Sequence, residues 1–380
     1  MIKSYKIRIY PTKEQEQHLW KHVGSCRYIW NYMLEKQEES YKNGEKYLSG
    51  FSMAKMLTPL KNDGEHDWLY EVSNKSLQAI CRDLDKAYKS LFKNVSRHPK
   101  FKSRKNSKAS YPVNCESFYF KDEKVLNVEK VGKIKYKTDF TFPVGRNKVK
   151  FNNVRITYVN NKWIISFGVE YENQVYELND KSVGIDLGVK ELAVVAFDEE
   201  SLVFHNINKS KKMKKLSKKL KHLQRGISRK YEVNRIGQKY KKTNNVMKEE
   251  MKLRKIHTRI ANIRNNYIHQ TTHTLVSLLP KRVVMEDLNV RGLMKNKHLS
   301  KAIQEQSFYE FIRQMKYKCK WRGIEFVQAD RFYPSSKTCS SCGCIKSDLK
   351  LKDRTYICNE CGTVIDRDYN AAVNLSRYIA

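Results

Sequence analysis

Residues 330–374, DRFYPSSKTCSSCGCIKSDLKLKDRTYICNECGTVIDRDYNAAVN, hold two kinds of chemistry in one short span. Cys339 and Cys342 form one C-x-x-C pair and Cys358 and Cys361 a second, with fifteen residues between the pairs. Each pair can bring two thiolates to about 2.3 Å from one tetrahedral Zn²⁺. A glycine follows each pair, Gly343 and Gly362. A redox dithiol needs a single pair, whereas two pairs at this spacing predict a zinc ribbon. Four thiolates leave no open coordination position, so such a zinc is structural. Cys344 is read as a non-ligand because the two pairs already supply a full set. Asp366 and Asp368 stand five and seven residues beyond Cys361, so a folded ribbon delivers carboxylates to a fixed place.

Two upstream segments offer acids to meet them. Asp186 ends the apolar run VGIDLG, with a glycine after it, and Glu286 ends VVMEDL. Sheets of parallel or mixed strands present functional residues at such strand ends. If the two strands are neighbours, Asp186 and Glu286 face one another at one sheet edge, and Asp368, at the entrance of a final helix over 369–378, can approach them. Converging carboxylates repel unless a cation is present. Hard oxygen ligands suit one or two Mg²⁺, and a pair of such ions about 3.5–4 Å apart can activate water and stabilise the leaving oxygen of a phosphodiester. Singly, each acid also has a plainer role: Asp186 as a turn former, Glu286 or Asp287 as a cap, Asp366 as a partner for Arg367.

Charge narrows the substrate. Lys and Arg number 75 against 40 Asp and Glu over 380 residues, a net charge of +35, which calls for a polyanion partner, nucleic acid first. At 40% hydrophobic residues the chain can bury real cores. No stretch is apolar over a bilayer's thickness, and the opening MIKSYKIRIYP lacks a signal peptide's apolar core, so a cytoplasmic protein without membrane partners is expected. The other cysteines, Cys26, Cys81, Cys115, Cys319 and Cys344, are scattered, as reduced thiols are.

The rest of the chain reads as alternating α and β blocks. Residues 2–10 alternate apolar and basic side chains as a strand with one basic face, Pro11 stops it, and Thr12-x-x-Gln15 has the form of a capping box. Leu19, Val23, Tyr28, Trp30 and Leu34 supply the apolar side of a long helix. A second helix over 74–92 puts Leu77, Ile80, Cys81, Leu84, Tyr88 and Leu91 on one face and Lys75, Gln78, Arg82, Lys86 and Lys89 on the other, a basic face suited either to solvent or to nucleic acid, with Lys75, Gln78 and Arg82 its candidate contacts. Residues 97–108 read as a basic loop. Short runs at 117–120, 133–136, 149–151, 154–159 and 163–169 predict a small antiparallel barrel or sandwich, which the first strand can complete, leaving the helices as an insertion. Tyr111, Phe118, Tyr119 and Phe120 could stack on single-stranded RNA or form its core, and core is the reading preferred. Strands follow at 182–187, 192–197 and 201–205. Residues 209–255 then hold nineteen Lys or Arg against three Glu. Helical spacing over 209–223 and 248–264 predicts a long hairpin whose lysines, Lys211, Lys215 and Lys218 among them, bind phosphate backbone. A strand at 282–286, an amphipathic helix at 304–321 closed by Gly323 and a strand at 324–328 precede the ribbon.

The segments GIDLG, VVMEDL, DRFYPSSKTCSSCG and CNECGTVIDRDYNAAVNL, together with KIRIYPTKEQ, CRYIWNYML and SLQAICRDLDKAYKSLFK upstream, resemble the transposon-encoded TnpB (OrfB) proteins, relatives of compact type V CRISPR nucleases. The similarity covers nearly the whole chain and is weakest over 105–175. It implies an α+β multidomain protein: a RuvC-type, RNase H-like α/β nuclease domain with an inserted zinc ribbon, plus an N-terminal wedge-type β-barrel with an inserted helical recognition domain. The boundaries expected are 1–10 and 106–180 for the barrel, 11–105 for the recognition helices, 181–333 and 366–380 for the nuclease domain with its basic hairpin at 209–275, and 334–365 for the ribbon. The resemblance implies a guide RNA from the transposon end, double-stranded target DNA cut beside a short adjacent motif, and an acidic triad on Asp186, Glu286 and Asp368. Asp368 is preferred to Asp366 because D-x-N-A-A sets the ligand two residues before Asn370. By the same likeness Lys75 and Gln78 are candidates for reading the adjacent motif. Two Mg²⁺ and one Zn²⁺ are the cofactors expected. The other readings are a nuclease-silent RNA-guided repressor and a strand-transfer transposase.

Overall fold

The computed structural model describes residues 1–146, 149–172, 174–237, 239–350 and 353–379, and the chain divides into two compact units, Met1–Glu172 and Asn173–Ala380.

In the first unit, β1 (Ile2–Tyr10) leads directly into α1 (Lys13–Lys42), and the capping box closes as expected: the Gln15 backbone N–H donates to Thr12 Oγ1 at 3.3 Å and the Thr12 N–H to Gln15 Oε1 at 3.0 Å. Short helices α2 (Gly50–Lys55) and α3 (Leu57–Lys61) and then α4 (Asn74–Phe92) follow. Leu77, Ile80, Cys81, Leu84 and Tyr88 of α4 are buried together with Leu19, Val23, Trp30 and Leu34 of α1, as 3.6-residue periodicity dictates. Then come β2 (Ser110–Pro112), β3 (Tyr119–Phe120), β4 (Val125–Val128), β5 (Gly132–Lys137), β6 (Phe151–Val159) and β7 (Lys162–Glu170). With β1 they form one seven-stranded sheet in the order β2-β6-β7-β1-β5-β4-β3. The first strand of the chain thus sits inside the sheet, antiparallel to β7 and to β5, and the helices are an insertion between it and its partners. Tyr111, Phe118 and Phe120 are buried core residues and Tyr119 is half-buried. The Asn-Asn at 152–153, between the runs read at 149–151 and 154–159, is a bulge within the single strand β6. Asn153 takes φ +52°, which asparagine tolerates, and the register shifts between Asn152 and Arg155.

The second unit is built on β8 (Asn179–Leu187), β9 (Glu191–Phe197) and β10 (Glu200–His205). Helix α5 (Lys211–Val233), the two-residue strands β11 (Arg235–Ile236) and β12 (Lys239–Tyr240), and α6 (Asn244–Ser277) make the basic hairpin. Next are β13 (Pro280–Glu286), α7 (Val290–Leu293), α8 (Ser300–Gln306), α9 (Phe308–Arg322) and β14 (Glu325–Ala329), then the ribbon strands β15 (Thr355–Ile357) and β16 (Val364–Asp366), and last α10 (Arg367–Ser376). The five-stranded sheet runs β10-β9-β8-β13-β14, with β8, β13 and β14 parallel, β9 antiparallel to β8 and β10 antiparallel to β9. Two expectations are corrected here. The helix read over 304–321 is broken, because Ser307 adopts the left-handed region at φ +57° and ends α8. The division between the units falls after Glu172 and not at residue 180, since Asn179 is already a sheet residue opposite Pro280. Among the described residues no helix is long and apolar enough to cross a membrane.

Helix α10 lies on the sheet over Gly184. A Cβ at Gly184 would stand 2.0 Å from the Ala372 carbonyl oxygen and 2.3 Å from the Ser376 nitrogen, both backbone atoms that cannot swing aside. Gly184→Ala is therefore expected to lift α10 and destabilise the unit by about 3 kcal/mol or more, read as a lower guanidinium midpoint.

Candidate active site

Ile185 of β8 is opposite Met285 of β13 in parallel register, so Asp186 and Glu286 are the next residues on adjacent strands, at the same sheet end. Asp368 arrives from the first turn of α10. All three are half-buried. Desolvation, and then the negative charges of Glu286 and Asp368, hold the Asp186 carboxyl well above the usual carboxylate range, while Arg367 pulls weakly the other way. Asp368 is met by two arginines: Arg367 donates to its Oδ1 at 2.9 Å, and Arg354 lies 3.6 Å from its Oδ2. Glu286 Oε1 accepts a short hydrogen bond from the Ser335 hydroxyl. Among the described residues these three acids do not close to 4.8 Å of one another, as the cysteine quartet does. Asp368 instead spends its charge on the arginines. The donor set, all carboxylate oxygens at one sheet end with one carboxyl strained by its neighbours, fits a hard divalent cation. Asp366 serves the helix rather than the site, because its Oδ1 accepts from the backbone N–H groups of Asp368 (2.9 Å) and Tyr369 (3.1 Å) and so caps α10.

The quartet Cys339, Cys342, Cys358 and Cys361 brings its Sγ atoms within 4.8 Å of one another. Cys339 and Cys361 are 3.6 Å apart, as are Cys342 and Cys358. Tetrahedral zinc with bonds of about 2.3 Å separates its sulfurs by about 3.8 Å, so the residues fit that ion. Each knuckle turns on the glycine after the pair: Gly343 (φ +79°) and Gly362 (φ +70°) donate to the carbonyls of Cys339 and Cys358. Cys344 lies outside the quartet and serves through its carbonyl, which accepts from the Cys339 N–H at 2.8 Å.

Sequence reasoning missed the polar seam between ribbon and core. Asn370 and Asn374, one helical turn apart and buried, face the segment before the first knuckle. Both side chains donate to the Thr338 carbonyl at 2.7 Å, Asn374 also donates to the Ser335 carbonyl at 2.7 Å, and Asn370 Oδ1 accepts the Ser340 N–H at 2.9 Å. The signal available was the i, i+4 spacing of two asparagines on an otherwise apolar helix face.

The expected nucleic-acid residues fall in both units. In the first, Lys75 and Arg82 are exposed and line a groove of about 330 Å³ with Lys86, Asn114 and Arg155, whereas Gln78 is half-buried and does not line it. In the second, Lys211, Lys215 and Lys218 are exposed on α5, whose apolar side packs Met213 against Ile256 and Ile260 of α6. The three glutamates of the hairpin are engaged farther along it, Glu232 with Arg235, Glu249 with Lys230 and Glu250 with Lys242 and Arg254. Among the described residues Lys211, Lys215 and Lys218 form no ion pair.

The mixed sheet with a cysteine ribbon between its last strand and last helix belongs to a fold that solved structures share. A solved cryo-EM structure of a Cas12f1–sgRNA–target DNA complex is similar with a TM-score of 0.62 at 14% identity, covering 99% of this chain and 98% of that one. Family models match residues 1–46 ("Helix-turn-helix domain"), 166–297 ("Probable transposase", OrfB of the IS605 type) and 308–375 ("Cas12f1-like, TNB domain"). In this chain the first of these segments holds β1 and a single helix of 30 residues. A protein of Streptomyces pristinaespiralis is 31% identical over 373 residues, 98% of this chain and 88% of its own length. InsQ of Escherichia coli K12 is 30% identical over 391 residues, 98% of this chain and 91% of its own. Both relatives carry the name of an RNA-guided DNA endonuclease. The chain belongs to the TnpB (OrfB) family.

Proposed function

We propose that this protein is an RNA-guided DNA endonuclease of an insertion-sequence element, hydrolysing phosphodiester bonds in double-stranded DNA beside a short adjacent motif. The observation that carries the reading is the placement of Asp186 and Glu286 at one end of neighbouring parallel strands, with Asp368 on the helix that crosses them. That arrangement, within this family, supports a RuvC-type, RNase H-like site in which Asp186, Glu286 and Asp368 hold Mg²⁺. When bound, two such ions supply an activated water and charge neutralisation at the leaving oxygen. The chain's own residues do the rest. Asp186 keeps a carboxyl at a place where burial and like charge make it costly, and Arg367 and Arg354, which pair with Asp368, would supply positive charge at the same sheet end. The cysteine quartet holds one structural Zn²⁺. The seven-stranded sheet and its inserted helices correspond to the wedge and recognition modules, and the α5–α6 lysines serve as a backbone clamp for nucleic acid.

The test is purification with co-expressed RNA from the flanking transposon end, sequencing of the bound RNA, and challenge with a plasmid library randomised beside the target, with Mg²⁺. Free ends with 5′-phosphates, depleted at one motif, support the reading. Joined products without free ends would favour strand transfer, to which the transposase description of the OrfB model also points. Replacing Lys211, Lys215 and Lys218 together with glutamine is expected to weaken RNA binding by about 10- to 100-fold at moderate salt. It should also flatten the log–log salt dependence by about 2 to 3, near 0.7–0.9 per lost phosphate contact, measured by filter binding.

A further inference from the structure

We propose that Ser335, held by Asn374, is a positioning residue for Glu286, so that the strap leading into the first zinc knuckle aims a catalytic carboxylate. The inference rests on the nuclease reading above and deepens it.

Ser335 is 1% exposed, yet its polar groups are fully used. Its hydroxyl donates to Glu286 Oε1, which is the side-chain partner Glu286 has among the described residues. Its carbonyl accepts from Asn374 Nδ2 at 2.7 Å, and the same amide reaches the Thr338 carbonyl at 2.7 Å. One asparagine thus spans the strap at both ends of a turn, and Asn370 repeats the clamp one helical turn away, through Thr338 and Ser340. Cys339 lies between those two residues. Asn374 is buried, as are Asn370, Ala371 and Leu375 around it on α10, so the geometry of its amide is held by packing. A glutamate has three side-chain torsions and, at a strand end, room to use them; one donor on Oε1 removes most of that freedom and leaves Oε2 to serve a metal. The carboxylates of Asp186 and Glu286 repel. A neutral donor on one oxygen holds Glu286 in place without adding the positive charge that would compete with a cation, as an arginine or lysine at position 335 would.

Ser335→Ala in the full-length, zinc-loaded protein is the direct test, with Asn374→Ala as the second variant. Both are expected to lower the cleavage rate of the guide-loaded complex about 10- to 100-fold, the size of loss when a group orienting a metal ligand is removed. Target DNA affinity and one equivalent of bound zinc should be unchanged, and raising Mg²⁺ should recover much of the rate. Without RNA, Mn²⁺ binding followed by loss of the free-ion paramagnetic resonance signal should weaken about tenfold in Ser335→Ala, with Glu286→Ala as the baseline. The double variant should be no slower than the slower single, because the two residues act through one path. Wild-type Mn²⁺ affinity and rate in Ser335→Ala, or strictly multiplicative losses in the double variant, would overturn the proposal. A wild-type complex that cuts nothing overturns the nuclease reading instead, and the Mn²⁺ titration then still judges Ser335.

Discussion

Asp186→Ala is expected to abolish cleavage, by on the order of 10³-fold or more, while guide RNA and target DNA binding stay within about twofold of wild type. The residue lies next to the last position of β8, opposite Val194 of β9, at the sheet end it shares with Glu286, and not on α4 or α5, where the candidate nucleic-acid side chains stand. Its replacement has a second consequence that separates a metal ligand from a structural acid. An acid whose folded pKa lies above its unfolded one favours the folded state when protonated, and that contribution is lost as pH rises from the unfolded value through the folded one. At pH 7.5 Asp186 is past its unfolded pKa, so its burial beside Glu286 and Asp368 works against folding. Asp186→Asn should accordingly melt higher than wild type in chelator, and addition of Mg²⁺ should raise the melting temperature of wild type but not of the variant. A variant that melts lower in chelator, or a wild type indifferent to Mg²⁺, would mean that Asp186 is a structural acid held by partners other than a cation. A complex of Asp186→Ala that fails to bind target DNA would remove the separation between binding and chemistry on which the reading depends.

What could be read from residues alone follows from which interactions are local. The capping box at Thr12 and Gln15, the apolar face of α4 and the alternation in β1 each lie within a few residues, and each stands where it was expected. The cysteine spacing was legible because coordination chemistry is stricter than folding: few structures other than a ribbon use two C-x-x-C-G knuckles. The pairing of β8 with β13 was legible only conditionally, since a hundred residues separate Asp186 from Glu286 and no periodicity reports which strands are neighbours. Three features were hidden for physical reasons. The bulge at Asn153 and the break at Ser307 are single positive-φ residues imposed by the surroundings, and neither is glycine. The seam of Asn370 and Asn374 is a buried polar arrangement whose partners are backbone carbonyls, and a backbone carbonyl has no sequence signature. Asp366 was compared with Asp368 as a metal ligand, and its role as the cap of α10 depends on a helix start two residues earlier in the structure than the apolar pattern suggests.

Removal of zinc is expected to melt the ribbon while leaving the five-stranded sheet folded. The ribbon's own core consists of Cys339, Tyr356 and Cys358 with Leu349 and Ile365 packed against them, so two of its three buried members are metal ligands. So small an apolar cluster cannot offset the backbone entropy of the segment, about 1–2 kcal/mol per ordered residue, and the coordination bonds supply the difference. The sheet, by contrast, has a core of its own drawn from β8, β9, β13, α6 and α9, including Val183, Ile185, Val283, Phe311 and Met315. Cys358→Ser should therefore bind less than about a tenth of an equivalent of zinc by mass spectrometry. Hydrogen exchange should show protection lost at Thr355–Ile357 and Val364–Asp366 but retained across Asn179–Leu187 and Pro280–Met285. The strap from Ser335 to Ser340 is anchored at one end by Cys339 and at the other by Asn374, so losing the first anchor leaves the second to hold Glu286 alone. Cleavage in Cys358→Ser should fall further than in Ser335→Ala, and extra Mg²⁺ should recover little of it, because the strap and not one hydroxyl has been released. Full protection of the two ribbon strands in zinc-free protein would show that the ribbon folds on its hydrogen bonds and would detach the metal from the active site altogether.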